Sequence, residues 1–232
     1  MQKSIWALEE PGNKEGEMTH SLHREGTLDS LERDYAIFIY PARGFNYAGS
    51  APKIRHLVEL LFLSGPSNMI ATTLRRNLYS GVSPDEVLKS IKDGTRVYST
   101  FNSREKVKEV LIRMKEADEG ISIVVSGLID RVREISVEVG LNPHTINLSL
   151  GIHGRTDRLP PPDIRQFITM CGHGVVSPAL VRDVIRKMKT GKVSAWQGSL
   201  ILAAPCACGI YNPHRSEELL QEIAPLYTVA RW

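Results

Sequence analysis

Three cysteines lie within 38 residues of one another in a chain of 232: Cys171 in Met170-Cys171-Gly172-His173-Gly174, and Cys206 and Cys208 in Pro205-Cys206-Ala207-Cys208-Gly209. Clustered cysteine and histidine are the residue types that bind soft metals or act as thiolates. Each cysteine is bordered by glycine, directly or one residue on, which lets backbone approach a ligand closely. Three thiolates suit an iron–sulfur cluster of the [4Fe-4S] kind, leaving one iron to a non-cysteine ligand. They also suit a Cys3His zinc site with His173 or His153 as the fourth ligand. Structural zinc generally uses Cys-x2-Cys turns, whereas Cys-x-Cys is compatible with two sulfurs on two different irons. The reading is therefore an iron–sulfur protein, with a zinc-stabilised binding module as the alternative. A metal-free thiol enzyme using Cys171 with His173 is the other chemistry these residues could support. Burial of the cysteines as small apolar side chains is the plain alternative to all of these.

Two short elements resemble known families. Cys206-Ala207-Cys208-Gly209 resembles the C-terminal Cys-x-Cys-Gly element of A-type iron–sulfur carrier proteins, which implies cluster binding by these cysteines and one upstream. Met170-Cys171-Gly172-His173-Gly174 resembles the Met-Cys-Gly-His element of the proline racemases, which implies an acid/base role for the Cys171 thiol. The likenesses cover four and five residues, and the rest of the chain follows neither family.

The elements that must position these residues are legible as periodic segments. Tyr35 to Tyr40 is a short apolar run rich in aromatic and branched side chains, the pattern of a buried strand. Helices are expected at 52–64 and at about 68–79. Another follows Ser83-Pro84-Asp85-Glu86, where a cap, a first-turn proline and an acid three residues on coincide. Further strands are expected at 96–101, 121–125 and 145–150, with helices from Asn102 to Ala117 and from Leu128 to Val139 between them. This alternation predicts an α/β domain over residues 34–154, a βαβαβ core with a mostly parallel sheet and flanking helices. Residues 1–33 read as a flexible N-terminal arm, with His20 and His23 spaced to share a helical face. Residues 155–232 read as a helical segment carrying the cysteines, with helices starting near Asp163, Pro178, Ser194 and Pro213.

In an open parallel sheet, ligands bind beyond the carboxyl ends of the strands. That rule nominates Arg43, Asn102 and Ser126 as substrate-binding residues, and His153 in Gly151-Ile152-His153-Gly154 as a catalytic residue beside His173. A redox or Lewis-acid enzyme follows, a lyase or oxidoreductase acting on a small molecule or exchanging electrons with a redox partner protein. An iron–sulfur protein of that type would call for anaerobic handling.

Composition bounds the setting. Hydrophobic residues make up 42% and charged residues 24%, which supports a folded core rather than a disordered chain. A net charge of +3 is too small to point to nucleic acid. The longest apolar runs fall short of a membrane span, and no export signal follows Met1, so the expected compartment is the cytoplasm, with reduced or metal-bound thiols. Oligomeric state is left open.

Overall fold

The computed structural model describes residues 24–149 and 151–227. His20, His23 and residues 1–23 of the expected arm lie outside these. The elements are α1 (Leu28–Leu31), β1 (Tyr35–Tyr40), α2 (Ser50–Leu63), β2 (Asn68–Ala71), α3 (Pro84–Ser90), β3 (Val97–Phe101), α4 (Arg104–Ala117), β4 (Ser122–Ser126), α5 (Ile129–Glu138), α6 (Pro162–Ile168), α7 (Pro178–Lys189), α8 (Ala195–Ala203) and α9 (Pro213–Ile223). Helix starts follow local chemistry. Ser83 and Glu86 form a reciprocal capping box before α3, Ser194 and Gln197 form another before α8, and Ser177 and Asn212 cap α7 and α9 ahead of a proline.

The sheet corrects the expected parallel core. Its order is β2-β3-β1-β4, and every neighbouring pair is antiparallel. Tyr35 pairs with Phe101 and Ile39 with Val97, while Ala36 pairs with Ser126 and Tyr40 with Ser122. Of the anticipated crossovers, the one from 96–101 through a helix to 121–125 is present, the one leading to a strand at 145–150 is not, and a further one runs from β1 to the unexpected β2; both that exist are split. The helix α2 joins β1 to β2 across an intervening β3, and α4 joins β3 to β4 across an intervening β1. Strands joined by a crossover thus run the same way without touching, which is the ferredoxin-like, split β-α-β plan. That plan hosts many chemistries and assigns none.

Two further expectations change. Residues 68–71, expected at the start of a helix, form the four-residue strand β2, with all four residues buried. Residues 145–149, expected as the body of a strand, form no regular element, and Leu148 stays about half exposed. With no neighbour among the described residues to supply a hydrogen-bonding ladder, alternating apolar and polar residues alone do not make a strand.

The sheet is covered on both faces. Tyr35, Ile37 and Ile39 point toward α2, α4 and α5, meeting Ile54, Leu57, Val107, Val110 and Ile135. Ala36 and Phe38 point the other way, into a second core built from α6 to α9 that contains all three cysteines. The alternation in Tyr35–Tyr40 is therefore between two apolar layers, which is why the run reads as continuously hydrophobic.

A buried ionic knot joins the chain's ends across this second layer. Asp34, fully buried, accepts from Arg24, from Arg215 Nη1 (2.6 Å) and from Asn212 Nδ2 (3.1 Å). Arg215, also fully buried, donates through Nε to Ser30 Oγ (2.9 Å) and through Nη2 to the Glu25 carbonyl (2.6 Å). Burial alone would raise the Asp34 pKa, but the guanidinium groups of Arg24 and Arg215 outweigh it and hold the carboxyl below its ordinary 3.8.

Removing one member of such a cluster leaves buried charge uncompensated, so Asp34→Asn is expected to cost about 3–5 kcal/mol of stability, measured by denaturant unfolding. Because the native carboxyl is shifted down, its contribution is fully present above the ordinary 3.8 and is lost as pH falls through the lowered native value. Wild-type stability should accordingly drop more steeply below about pH 4 than that of Asp34→Asn.

Candidate functional site

The three cysteines meet. Cys171 follows α6, and Cys206 and Cys208 lie in the turn between α8 and α9, so α7 and α8 carry the chain from one loop back to the other. All three are free thiols and buried, at 2%, 0% and 7% exposure. Cys206 Sγ lies 3.4 Å from Cys208 Sγ. The donor atoms of Cys171, His173 and Cys208 fall within 4.8 Å of one another, so this Cys–His–Cys group is close enough to hold a metal ion. Cys206 joins it through its contacts with the other two sulfurs. His173 is exposed, and the thiols lie inward of it.

The sulfurs share one environment but are shifted in opposite directions. Hydrogen bonds from the Cys206 and Cys208 thiols, and then from the backbone N–H groups of His173 and Val175, hold the Cys171 thiol well below the ordinary range. Their hydrogen bonds to Cys171, together with burial, push the Cys206 and Cys208 thiols up. Cys206 and Cys208 also accept backbone N–H bonds, from Tyr211 and Ile210 respectively. Bonds of this type stabilise thiolates and tune a bound metal.

The Cys206–Cys208 loop is pinned by the first half of the chain. Asn77, buried, donates through Nδ2 to the carbonyls of Ala203 (3.3 Å) and Cys206 (3.1 Å). Asn68 on β2 donates to the Tyr211 carbonyl (3.1 Å), and Arg24 Nη2 to the Ile210 carbonyl (2.5 Å). Gly209 completes the seat. Its φ of +67° is left-handed, and a Cβ there would stand 2.9 Å from backbone atoms of Met69 and Ile70. Only glycine lets this turn lie flat on β2. Cys-x-Cys-Gly is thus a spacing and a docking surface together. The loop holding Cys171 is less confined, since the side-chain position of Gly174 meets nothing within 4 Å.

The remaining nominated residues do not gather here. Antiparallel strands send Arg43 to one end of the sheet and Asn102 and Ser126 to the other, because Tyr40 pairs with Ser122 while Ala36 pairs with Ser126. The shared carboxyl edge expected from a parallel sheet does not form. Asn102 accepts from Lys106 Nζ at 3.5 Å, and Ser126 is buried with its Oγ unpaired among the described residues. His153 is exposed on the irregular stretch between α5 and α6 and is not part of the Cys–His–Cys group. Asn68, Asn77 and Arg24 were not anticipated. No spacing rule singles out a buried asparagine whose partners are carbonyls more than a hundred residues away.

Among the described residues, no helix is long and apolar enough to cross a membrane. No family model, curated protein or solved structure matches the chain.

Gly209→Ala must push against β2 backbone from a left-handed position, so it is expected to cost about 1–3 kcal/mol in thermal or denaturant unfolding. It should also speed alkylation of Cys206 and Cys208, read by mass spectrometry under native conditions, as the loop lifts from the sheet.

Proposed function

We propose that this chain is a metal–thiolate protein whose centre is held by Cys171, Cys206 and Cys208, with His173 as the outward ligand. The observation that carries this reading is the convergence, from two loops separated by two helices, of the donor atoms of Cys171, His173 and Cys208 within 4.8 Å of one another, with Cys206 Sγ 3.4 Å from Cys208 Sγ beside them. The separations favour a single thiophilic ion of the zinc class. With metal–sulfur bonds of about 2.3 Å, tetrahedrally arranged thiolates sit about 3.8 Å apart. The 3.4 Å between Cys206 and Cys208 needs little adjustment to reach that edge. Three ligands are shielded and the fourth faces solvent, which supports a centre that exchanges its outer ligand for a substrate group and acts on it as a Lewis acid.

A three-cysteine iron–sulfur cluster is the second reading. Cys-x-Cys spacing and the N–H bonds to all three sulfurs favour it. It requires the sulfurs to spread, and the open side of the Cys171 loop at Gly174 is where that movement meets least resistance.

Metal and sulfide analysis of anaerobically purified and reconstituted protein tests both. The expected result is about one zinc-class ion per chain, retained in His173→Ala and lost in Cys208→Ser. Iron with acid-labile sulfide and broad charge-transfer absorption would assign the cluster instead. Protein that binds neither after reconstitution would overturn the metal reading and leave thiol chemistry at Cys171.

A further inference from the structure

A second site lies at the end of the sheet where β1 finishes. Because the strands alternate in direction, that end gathers the last residue of β1 (Tyr40), the residue after β2 (Thr72), the residue before β3 (Arg96) and the first residue of β4 (Ser122). With Arg43 and Tyr47 from the loop after β1, they line a cleft of about 650 Å³, within the size range of small-molecule sites.

The chemistry of the cleft is specific. Its two cations are arginines, and neither Arg43 nor Arg96 forms an ion pair with a carboxylate among the described residues. Each lies over a tyrosine: Arg43 over Tyr47 at 5.8 Å, and Arg96 over Tyr40 at 5.5 Å. Stacking of this kind orients a guanidinium while leaving its N–H donors outward. No carboxylate lines the cleft, and the Thr72 and Ser122 hydroxyls add neutral polar groups. Thr72 and Arg96 are fixed face to face by two backbone bonds, Thr72 N–H to the Arg96 carbonyl (3.0 Å) and Arg96 N–H to Thr72 Oγ1 (3.2 Å).

The loop that forms the other wall is built rather than loose. Asn46 accepts from the Ala42 N–H (2.6 Å) and donates to the Gly120 carbonyl (2.5 Å). Asp93 accepts from the N–H groups of Gly49 and Ala51, both at 2.8 Å. Tyr47 lies so close over Gly94 that a Cβ there would stand 2.0 Å from its ring. The position admits no side chain while Tyr47 keeps its place.

We propose that this cleft binds an organic anion carrying a phosphate or carboxylate group, with Arg43 and Arg96 as its binding residues. The guanidinium forks match the planar or tetrahedral oxyanion, and the tyrosine faces take a flat ligand body. Tyr40 also packs against the apolar cluster that contains the three cysteines, so a ligand here lies on the cysteine side of the sheet end. The proposal does not depend on a metal at the cysteines.

Calorimetric titration of the full chain with pyrophosphate, adenosine monophosphate and citrate tests it, at low and at high ionic strength. At least one probe should bind, more weakly in high salt. Arg43→Gln and Arg96→Gln should each weaken binding roughly tenfold or more, while Arg186→Gln, on α7, should leave it unchanged. Preference for the two phosphates over citrate assigns a phosphate ligand, and the reverse assigns a carboxylate. Binding by none of the three, or binding weakened equally by Arg186→Gln, would overturn the proposal, as would binding indifferent to both cleft variants.

Discussion

The carboxylate of Asp34 is the contact on which the arrangement of the second layer rests. It is fully buried, and among the described residues it is balanced by side chains far apart in sequence: Arg24 before the first helix, and Asn212 and Arg215 at the start of α9. A charge in so dry a place is tolerable only while its partners stay in position. The condition extends outward. Arg24, held by Asp34, also grips the Ile210 carbonyl beside the cysteine loop, and Arg215 reaches the backbone of Glu25. Glu25 in turn accepts from Arg165 Nε on α6, the helix that leads into the Cys171 loop. The ionic knot thereby ties both cysteine loops to one face of the sheet.

Local chemistry made the helices readable in advance. Caps at Ser83, Ser177 and Asn212, each followed by proline, mark their starts because these residues satisfy orphan N–H groups that the helix cannot satisfy itself. The meeting of the cysteines was also legible, since two helices between the loops are enough to return the chain to its starting level. What was not legible was which strands touch. The alternation of β1, α2, β2 and of β3, α4, β4 is the same for a simple crossover and for a split one. The difference is decided by an extra strand, β2, which ends the first crossover so that β3 returns antiparallel between β2 and β1. Here β2 was hidden, because Asn68–Ala71 is too short to display a period of two. Missing that strand converted an antiparallel sheet into a parallel one and placed Asn102 and Ser126 at the wrong end.

The same geometry moved the interest of the sheet end elsewhere. Arg43 was nominated as a residue following a strand, and its neighbours across the cleft, Thr72 and Arg96, flank the ends of two strands that the parallel arrangement did not bring together. A basic residue before a strand carries no sequence signal of its own. Its meaning comes from the register, which sets Val97 opposite Ile39 and so brings Arg96 beside Tyr40.

The anchors of the Cys206–Cys208 loop have a consequence for how the protein assembles. Arg24, Asn68 and Asn77 stand 186, 143 and 129 residues from the carbonyls they hold. Contacts of such span close late, because the entropy of bringing distant segments together must be met before any bond is made. The sheet and its first helical layer can form from residues that leave the ribosome early, whereas the sulfur pocket cannot exist until α9 has emerged and docked. Burial of the three thiols is therefore tied to contacts that no early segment of the chain can make alone.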